Sequence, residues 1–392
     1  MSVRKIKDNI YSVGVIDWHR QLFDELIPLP DGTSYNAYLI NGSEATALID
    51  TVEPGFKEEL LKNLEAAGVK NLNYLISSHA EQDHSGSIPA ILEAYPEAEL
   101  ITSQKGKSML LDLLELEEDN IRTVENGEEL SLGNKTLEFI ETPWVHWPET
   151  MSTYLKEDKI LFPCDFFGSH LATSDLFVDN EAEVYEAAKR YYAEIMMPFR
   201  KVIKGNLKKL DSYKIKTIAP SHGPIYGEPD LILEAYRDWV SDRVKPEVVV
   251  PFISMHGSTE EMIEYFIDQL LDRDITVKPF NMTKMDLGDL AISLVDAAAV
   301  VIGSPTVLTG PHPKAAYVSI LANALRPKTK YASIIGSYGW AGNMVDDIVG
   351  MLDKLDVELF NPVVAKGKAD QEDYSGLDRL VEDIEEAFTR LD

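Results

Sequence analysis

Residues 77–87, SSHAEQDHSGS, place four metal-capable side chains within six positions: His79, Glu81, Asp83 and His84. A stretch this dense in donors calls for an ion, and whatever fold the chain adopts must hold one at this point. The preceding run, LNYLISS, reads as a buried strand, so His79 stands at a strand's C-terminal edge and the other donors in the loop after it. Three more candidates follow apolar runs in the same way and are trailed by Gly or Pro turn residues: His146 in ETPWVHWPET, Asp165 in LFPCDFFGS and His222 in IAPSHGPIY. A lone histidine is ordinarily a satisfied core or surface residue. Side chains delivered from several strand tips along one edge can instead converge, and these seven are more than one metal needs. The single cysteine, Cys164, excludes a disulfide framework and a four-cysteine zinc or iron–sulfur site. Histidines and carboxylates must therefore do the ligation, and Cys164 itself reads as a small buried apolar residue.

A chain of 392 residues is long for one core, and two or three are expected. The net charge of −29 repels phosphate backbones and anionic lipid, so neither nucleic acid nor membrane is expected as a partner. No run of 18 apolar residues suggests a membrane span. The opening MSVRKIKDNIYSVG lacks the apolar core of a signal peptide, which makes the cytoplasm the expected location.

Short strands alternate with turns and helices through the first half. NAYLI and ATALIDT (36–40, 45–51) flank the turn NGSE as a hairpin, PGFKEELLKNLEAAGVKN has helical spacing, and 179–215 is mostly helical. Further strands are expected at ELITS, TLEFIET, STYLKE, KILFPCD and IKTIAPSH. Two layered sheets with helices fit this better than one parallel sheet. From Pro246 the pattern changes, after a linker-like SDRVKPE. EVVVPFIS, TVKPFNM, AAVVIGSP, KYASIIGSYGW and VELFNPVV are five strands alternating regularly with helices, the last helix running to Leu391, which reads as a doubly wound parallel sheet. The domains are expected at 1–243 and 247–392.

In the second half FISMHGSTEEM (252–262) joins a strand to a helix that Ser258 and Glu261 would open as a capping box. The hydroxyls of Ser254, Ser258 and Thr259 and the amides around Met255, His256 and Gly257 would cradle a phosphate without Lys or Arg, which suits the monophosphate of FMN. By itself this is also ordinary turn chemistry. Two further loops share the same sheet edge: GSPTVLTGPH, with Ser304, Pro305, Thr306 and Gly310, and GSYGWAGN, with Ser337, Tyr338, Gly339 and Trp340. Ligands of doubly wound sheets bind beyond that edge. Trp340 would stack on a flat ring or pack half-buried.

The spacing HxExDH followed by His, Asp and His resembles the metal motif of the metallo-β-lactamase fold, with Glu81 where a second histidine is usual. An anionic oxygen donor in place of an imidazole favours iron or manganese over zinc. The second module resembles flavodoxin. In this order the two resemble the flavodiiron (A-type flavoprotein) family over essentially the whole chain. The resemblance implies an α/β protein with an N-terminal metallo-β-lactamase-like αββα sandwich and a C-terminal flavodoxin-like doubly wound parallel sheet. It implies FMN and two Fe ions, one held by His79, Glu81, His146 and Asp165, the other by Asp83, His84, His222 and the same Asp165. It further implies reduction of O2 to water or of NO to N2O, a donor such as reduced F420 or rubredoxin, and a head-to-tail homodimer or dimer of dimers. Within the family, O2 with reduced F420 as donor is the favoured reading.

Several residues near the motifs stay open. His170 would line the pocket as a proton donor, Trp147 would wall it or pack, Tyr191 and Tyr192 would offer a hydroxyl or sit in the core, and Asp50 would orient a ligand or cap a turn. Two rival classes compete: a zinc hydrolase carrying a flavodoxin-like domain, which metal analysis separates, and a non-catalytic gas sensor or electron carrier, which turnover separates.

Overall fold

The computed structural model describes residues 3–23 and 25–391. The chain divides into two compact units: one runs to Tyr192 and resumes over Phe199–Val240, and the other comprises Ala193–Pro198 and everything from Ser241 onward.

The first unit contains two sheets. The larger joins β1 (Arg4–Lys7), β2 (Ile10–Ser12), β3 (Tyr38–Asn41), β4 (Thr46–Ile49), β5 (Tyr74–Ile76), β6 (Glu99–Ser103) and β7 (Ile121–Val124) in that spatial order. The smaller joins β8 (Glu129–Ser131), β9 (Thr136–Glu141), β10 (Met151–Leu155), β11 (Ile160–Phe162) and β12 (Thr217–Ile218), again in sequence order. The β3–β4 hairpin is antiparallel, whereas β4, β5, β6 and β7 run parallel, with α1 (Lys57–Ala66), α2 (Gln82–Ser85), α3 (Ile88–Ala94) and α4 (Gln104–Leu113) in the crossovers.

The period of two in these strands explains the layering. Leu39, Leu48, Leu75 and Leu100 enter one core with Leu60 and Leu64 of α1, Ile91 of α3 and Leu110 of α4. Their neighbours Ile40, Ile49, Ile76 and Ile101 enter a second core, against Leu137, Phe139, Met151, Leu155 and Phe162 of the other sheet. Strands apolar on both faces must be covered on both faces, here by helices and by a sheet. On the smaller sheet, the Tyr154 hydroxyl donates to the Lys214 carbonyl, and Tyr213 bonds Glu138, just beyond α6 (Arg200–Leu210). Helices α5 (Glu181–Tyr191) and α7 (Asp230–Trp239) complete the unit.

The second unit is a parallel sheet of β13 (Lys245–Phe252), β14 (Thr276–Asn281), β15 (Ala297–Val307), β16 (Tyr331–Tyr338), β17 (Glu358–Leu359) and β18 (Val363–Lys366). Its order is β14-β13-β15-β16, with β17 and β18 both on the outer side of β16. Val248, Val250 and Val301 pack on α8 (Ser258–Leu271) and α12 (Gln371–Phe388). Val249, Val300 and Ile302 pack on the other face against α9 (Leu287–Asp296), α10 (Pro313–Leu325) and α11 (Met344–Met351). This is the doubly wound, flavodoxin-like arrangement.

Three local expectations are corrected. The run VELFNPVV is two strands, because Pro362 has no N–H to continue the ladder and the pairing resumes at Val363. The last helix stops at Phe388, not Leu391. No capping box opens α8: its N-cap is Gly257, at φ +90°, with no side-chain cap. Glycine reaches that left-handed turn without steric cost, so the helix begins one residue earlier and Ser258 becomes its first residue. The linker-like segment also overlaps a strand, since β13 already begins at Lys245. Among the described residues no helix is long and apolar enough to cross a membrane.

Asp158 joins the edges of both sheets in the first unit. Its carboxylate pairs with the almost fully buried Lys135 and lies 2.8 Å from Lys7. Burial opposes ionisation, but the two ammonium groups outweigh it and hold the Asp158 carboxyl below its ordinary value of 3.8. Its contribution is therefore complete above that ordinary value and is lost as pH falls through the lower folded-state value. Asp158→Asn should cost about 1–2 kcal/mol at neutral pH, after allowance for solvent screening. Denaturant titrations should show the gap from wild type closing below about pH 4.

Candidate functional site

Each of the seven donors predicted from the sequence leaves the backbone where an element of the first unit ends or begins. His79 follows β5, Glu81 is the N-cap of α2, and Asp83 and His84 lie within that helix. His146 sits in the β9–β10 connection, Asp165 follows β11 and His222 follows β12. Parallel pairing of β11 with β12 brings the last two to the same sheet edge. Helix α2 is fixed through its backbone: Thr51 donates both its N–H and its hydroxyl to the His84 carbonyl, at 2.8 and 2.6 Å.

The donors form two groups that meet at one carboxylate. His79 Nε2 lies 3.2 Å from Glu81 Oε2 and 3.4 Å from Asp165 Oδ2, and His146 Nε2 lies 3.0 and 3.6 Å from the same two oxygens. On the other side, His84 Nε2 and His222 Nε2 lie 3.0 and 3.3 Å from Asp165 Oδ1, and each is 3.3 Å from Asp83 Oδ2. The two Asp165 oxygens thus face different groups. Donors bound to one ion at about 2.1 Å are separated by about 3.0–3.4 Å, which is the spacing seen here. Asp165 Oδ1 and Oδ2, Asp83 Oδ1 and both His84 nitrogens are buried without a hydrogen bond. Burying such atoms unpaired is costly, whereas two cations would satisfy them. The donor set therefore fits a pair of metal ions. Cys164 also lies close to His84 and Asp165, and burial pushes its thiol well above the ordinary range.

The electrostatics agree with this. Burial alone would lower His222, but the Asp165 and Asp83 carboxylates 3.3 Å from its Nε2 push it up to about 10. Burial is likewise outweighed at His79, which Glu149 and Glu81 raise, and at His84, raised by Asp83 and Asp165. Burial would raise Glu81 and Asp165, yet His146 and His79 hold the first, and His84 and His222 the second, well below the usual carboxylate range. Without metal, His79, His84 and His222 keep their protons to higher pH than a free imidazole. Metal uptake must release them, so it weakens as pH falls.

Outer partners set the histidine tautomers. His79 Nδ1 donates to Glu149 Oε1 at 2.6 Å, and that oxygen also accepts the Ala80 N–H at 3.0 Å. His222 Nδ1 donates to the Ser34 carbonyl at 2.6 Å. In both rings Nδ1 is committed to its acceptor, so Nε2 is the nitrogen that faces the donor groups and gives up its proton on metal uptake. Asp50, pushed up to about 6 chiefly by burial, accepts the Ser78 N–H at 2.7 Å and so holds the backbone just before His79. Glu149 and Ser34 escaped the sequence reading: a glutamate in WPET carries no sign that it will be buried, and Ser34 acts through its main chain.

A cavity of about 270 Å3 opens on the donors, lined by Arg20, Phe23, Thr33, Trp147 and His170 among others, with Glu81 and Asp83 in its wall. Trp147 stands edge-on to His79 at 4.9 Å, so it both packs and walls the cavity. His170, by contrast, belongs to neither donor group. Tyr191 is buried with its ring against His170 and His222. Tyr192 packs in an aromatic cluster with Tyr236 and Trp239.

In the second unit a cavity of about 220 Å3 lies beyond the C-terminal ends of β13, β15 and β16, lined by Ser254, Met255, His256, Ser258, Pro305, Thr306, Ser337, Tyr338 and Gly339, with Gly367. Other expected residues stand back from this wall. Thr259 is buried and bonds the Ser337 hydroxyl at 2.9 Å, Ser304 is fully buried with its hydroxyl accepting the His312 N–H, and Gly310 pairs with Val307. Gly257 forms the turn into α8, and Trp340 is 75% exposed, neither stacked nor half-buried within this chain. The walls are uncharged hydroxyls, amides and apolar groups at a helix start, which fits a flavin monophosphate.

A sequence profile described as the ODP family beta lactamase matches residues 33–223. The chain is 39% identical over 347 residues to a nitric oxide reductase of Moorella thermoacetica, with 86% of each chain covered. It is 34% identical over 359 residues to a coenzyme F420H(2) oxidase of Methanothermobacter marburgensis, with 87% of each covered. Its fold resembles that of the rubredoxin oxygen:oxidoreductase from the anaerobe Desulfovibrio gigas, with a TM-score of 0.94 and 30% identity over 99% of both chains.

Glu149→Gln should weaken metal retention about 10- to 100-fold, the usual cost of losing an outer-shell carboxylate. Competition against a chelator of known affinity, with circular dichroism as the control for folding, measures the effect.

Proposed function

The chain belongs to the flavodiiron protein family, and we propose that it reduces O2 to water with electrons passed through FMN to a pair of iron ions. The observation that carries this reading is Asp165, whose two oxygens each face a separate group of buried donors. His79, Glu81 and His146 with Asp165 would hold one iron, and Asp83, His84 and His222 with the same Asp165 the other. The cavity of the second unit, whose lining holds no Lys, Arg or carboxylate, would take FMN, with the hydroxyls and amides of Ser254 and Ser258 available to its phosphate. When bound, two ferrous ions supply electrons to a substrate held by both, and FMN restores those electrons.

The protein's own residues set up this chemistry. Asp165 fixes the spacing of the two positions, and Glu149 and the Ser34 carbonyl lock the imidazoles that face them. Phe23, Leu29 and Trp147 give the cavity apolar walls beside the polar Arg20, Thr33, Glu53 and Gln82. Glu81, an oxygen donor among imidazoles, favours iron over zinc and argues against a zinc hydrolase. Reduced F420 is the proposed donor, by likeness to the relative named for it. A head-to-tail homodimer is the proposed assembly, as the family implies. A second reading, reduction of NO to N2O with rubredoxin as donor, is favoured by the 39% identity to the relative named a nitric oxide reductase.

Purified anaerobically, the protein should contain two iron ions and one FMN per chain. Fully reduced and divided, it should consume O2 rapidly at an electrode without accumulating peroxide, and NO slowly. Faster NO uptake with N2O release would select the second reading, and consumption of neither gas by iron- and FMN-loaded protein would end the catalytic one. Glu81→His should lower the iron-to-zinc ratio of protein loaded from an equimolar mixture, by about tenfold on the ligand preferences of the two metals. Elemental analysis of the two proteins side by side measures it.

A further inference from the structure

Helix α6 is a basic element in an acidic chain. Its eleven residues, RKVIKGNLKKL, hold Arg200, Lys201, Lys204, Lys208 and Lys209 and no carboxylate, against a net charge of −29 for the whole. One face packs inward through Ile203, Leu207 and Leu210. Arg200 donates to the Val240 carbonyl at 3.2 Å, and Lys209 donates to the Glu141 carbonyl. Lys201, Gly205 and Lys208 form an exposed stripe along the helix, and Lys214 and Lys216 stand exposed beyond its end. The acids beside them are engaged: Asp211 lies 2.8 Å from Arg237, and Glu138 accepts the Tyr213 hydroxyl at 2.7 Å.

The turn that carries His146 runs alongside α6. Asn206 donates to the Pro143 carbonyl at 2.9 Å, and the Trp144 ring stacks on Phe199 at 5.7 Å between centroids. Trp144 lies at φ +63°, a left-handed conformation that a tryptophan adopts only at a cost. Its N–H donates to the Trp147 carbonyl at 2.6 Å. One turn therefore presents Trp147 to the cavity on the metal donors and Trp144, 42% exposed, to the outside. Val202, 40% exposed, lies three residues from Phe199 and four from Asn206, so α6 turns a second apolar group toward the same side.

We infer that this face docks a small acidic protein, a one-electron carrier, on the lysines of α6 around Trp144 and Val202. Exposed lysines are point charges, and clustered here they attract an acidic surface to one place on a molecule that otherwise repels it. Two exposed apolar side chains are too small a core for a stable dimer of this chain, whose interface would bury about 800 Å2 on each partner and be more hydrophobic. They suit the smaller, charge-steered contact of a transient electron-transfer pair. Every residue of the face belongs to the first unit, so it is a different surface from the flavin loops. The docking rests on charge and exposure; the choice of an electron carrier as the partner rests on the function proposed above.

Calorimetric binding of a plant-type ferredoxin, an acidic one-electron carrier, to the full-length protein tests the inference over a series of salt concentrations. Wild type should bind it at low ionic strength and lose affinity steeply as salt rises. Lys201→Glu/Lys208→Glu should bind on the order of 10-fold more weakly, with a flatter salt dependence. Lys70→Glu/Lys105→Glu makes the same change of net charge on exposed lysines elsewhere in the first unit and should bind as wild type does. Trp144→Asn, whose side chain tolerates the left-handed turn, should bind about 5-fold more weakly at an unchanged salt slope. Should that variant not fold, the lysine pairs decide. Carbodiimide coupling should join carboxylates of the carrier to Lys201 or Lys208. No binding by wild type, undiminished affinity in Lys201→Glu/Lys208→Glu, or an equal loss in both lysine pairs would overturn the inference. Coupling of these lysines to a second copy of the chain would overturn it as well. Gas consumption without docking would sink this inference alone. Docking without gas consumption by iron- and FMN-loaded protein would sink the function proposed above and leave the face standing as a dock for an acidic protein.

Discussion

The first unit is organised around a carboxylate that folding has removed from water. Asp165 has both oxygens buried and without a hydrogen bond, and imidazoles face each of them. A charge in that position is tolerable only if compensated, and the compensation comes from residues far apart in sequence. The two halves of the donor set are related through this one side chain. Displacing it would separate the groups it faces, and everything packed behind it would lose its reason to be there.

What brings those residues to one edge is the layering. Because Leu39/Ile40, Leu48/Ile49, Leu75/Ile76 and Leu100/Ile101 send neighbouring side chains into opposite cores, the larger sheet is locked between helices and a second sheet. Strands fixed on both faces cannot slip by one residue without exposing every apolar side chain they carry. Register is therefore set by burial, and the loops at the strand ends inherit that precision. Polar fastenings finish the placement: Thr51 on the His84 carbonyl, Asp50 on the Ser78 amide, Glu149 on His79. These make the centre rigid before any ligand arrives, which is what allows a flavodiiron protein to hold a small substrate in a fixed geometry.

The sequence was most legible where chemistry and pattern coincide. The seven donors stood out because each follows an apolar strand and is trailed by turn residues, and the structure gathers all of them. The second unit was legible for a similar reason, its strands being unbroken apolar runs. Local geometry was harder to read. Ser258 and Glu261 have the spacing of a capping box, but the left-handed turn at Gly257 starts the helix before that box can form. VELFNPVV reads as one strand until Pro362 breaks its ladder. In the loops around the second unit's cavity, Ser304 and Thr259 looked like ligand contacts but spend their hydroxyls within the fold.

By itself the sequence determined the two-module order, the donor types and the preference for oxygen over nitrogen at position 81, because these follow from residue identity and short-range period. Tertiary structure alone decided which Asp165 oxygen faces which histidines, and that Glu149 and the Ser34 carbonyl fix the tautomers of His79 and His222. The two tautomer contacts link residues 70 and 188 positions apart. No local pattern encodes them, because a hydrogen bond's direction depends on where the whole fold leaves the last available acceptor.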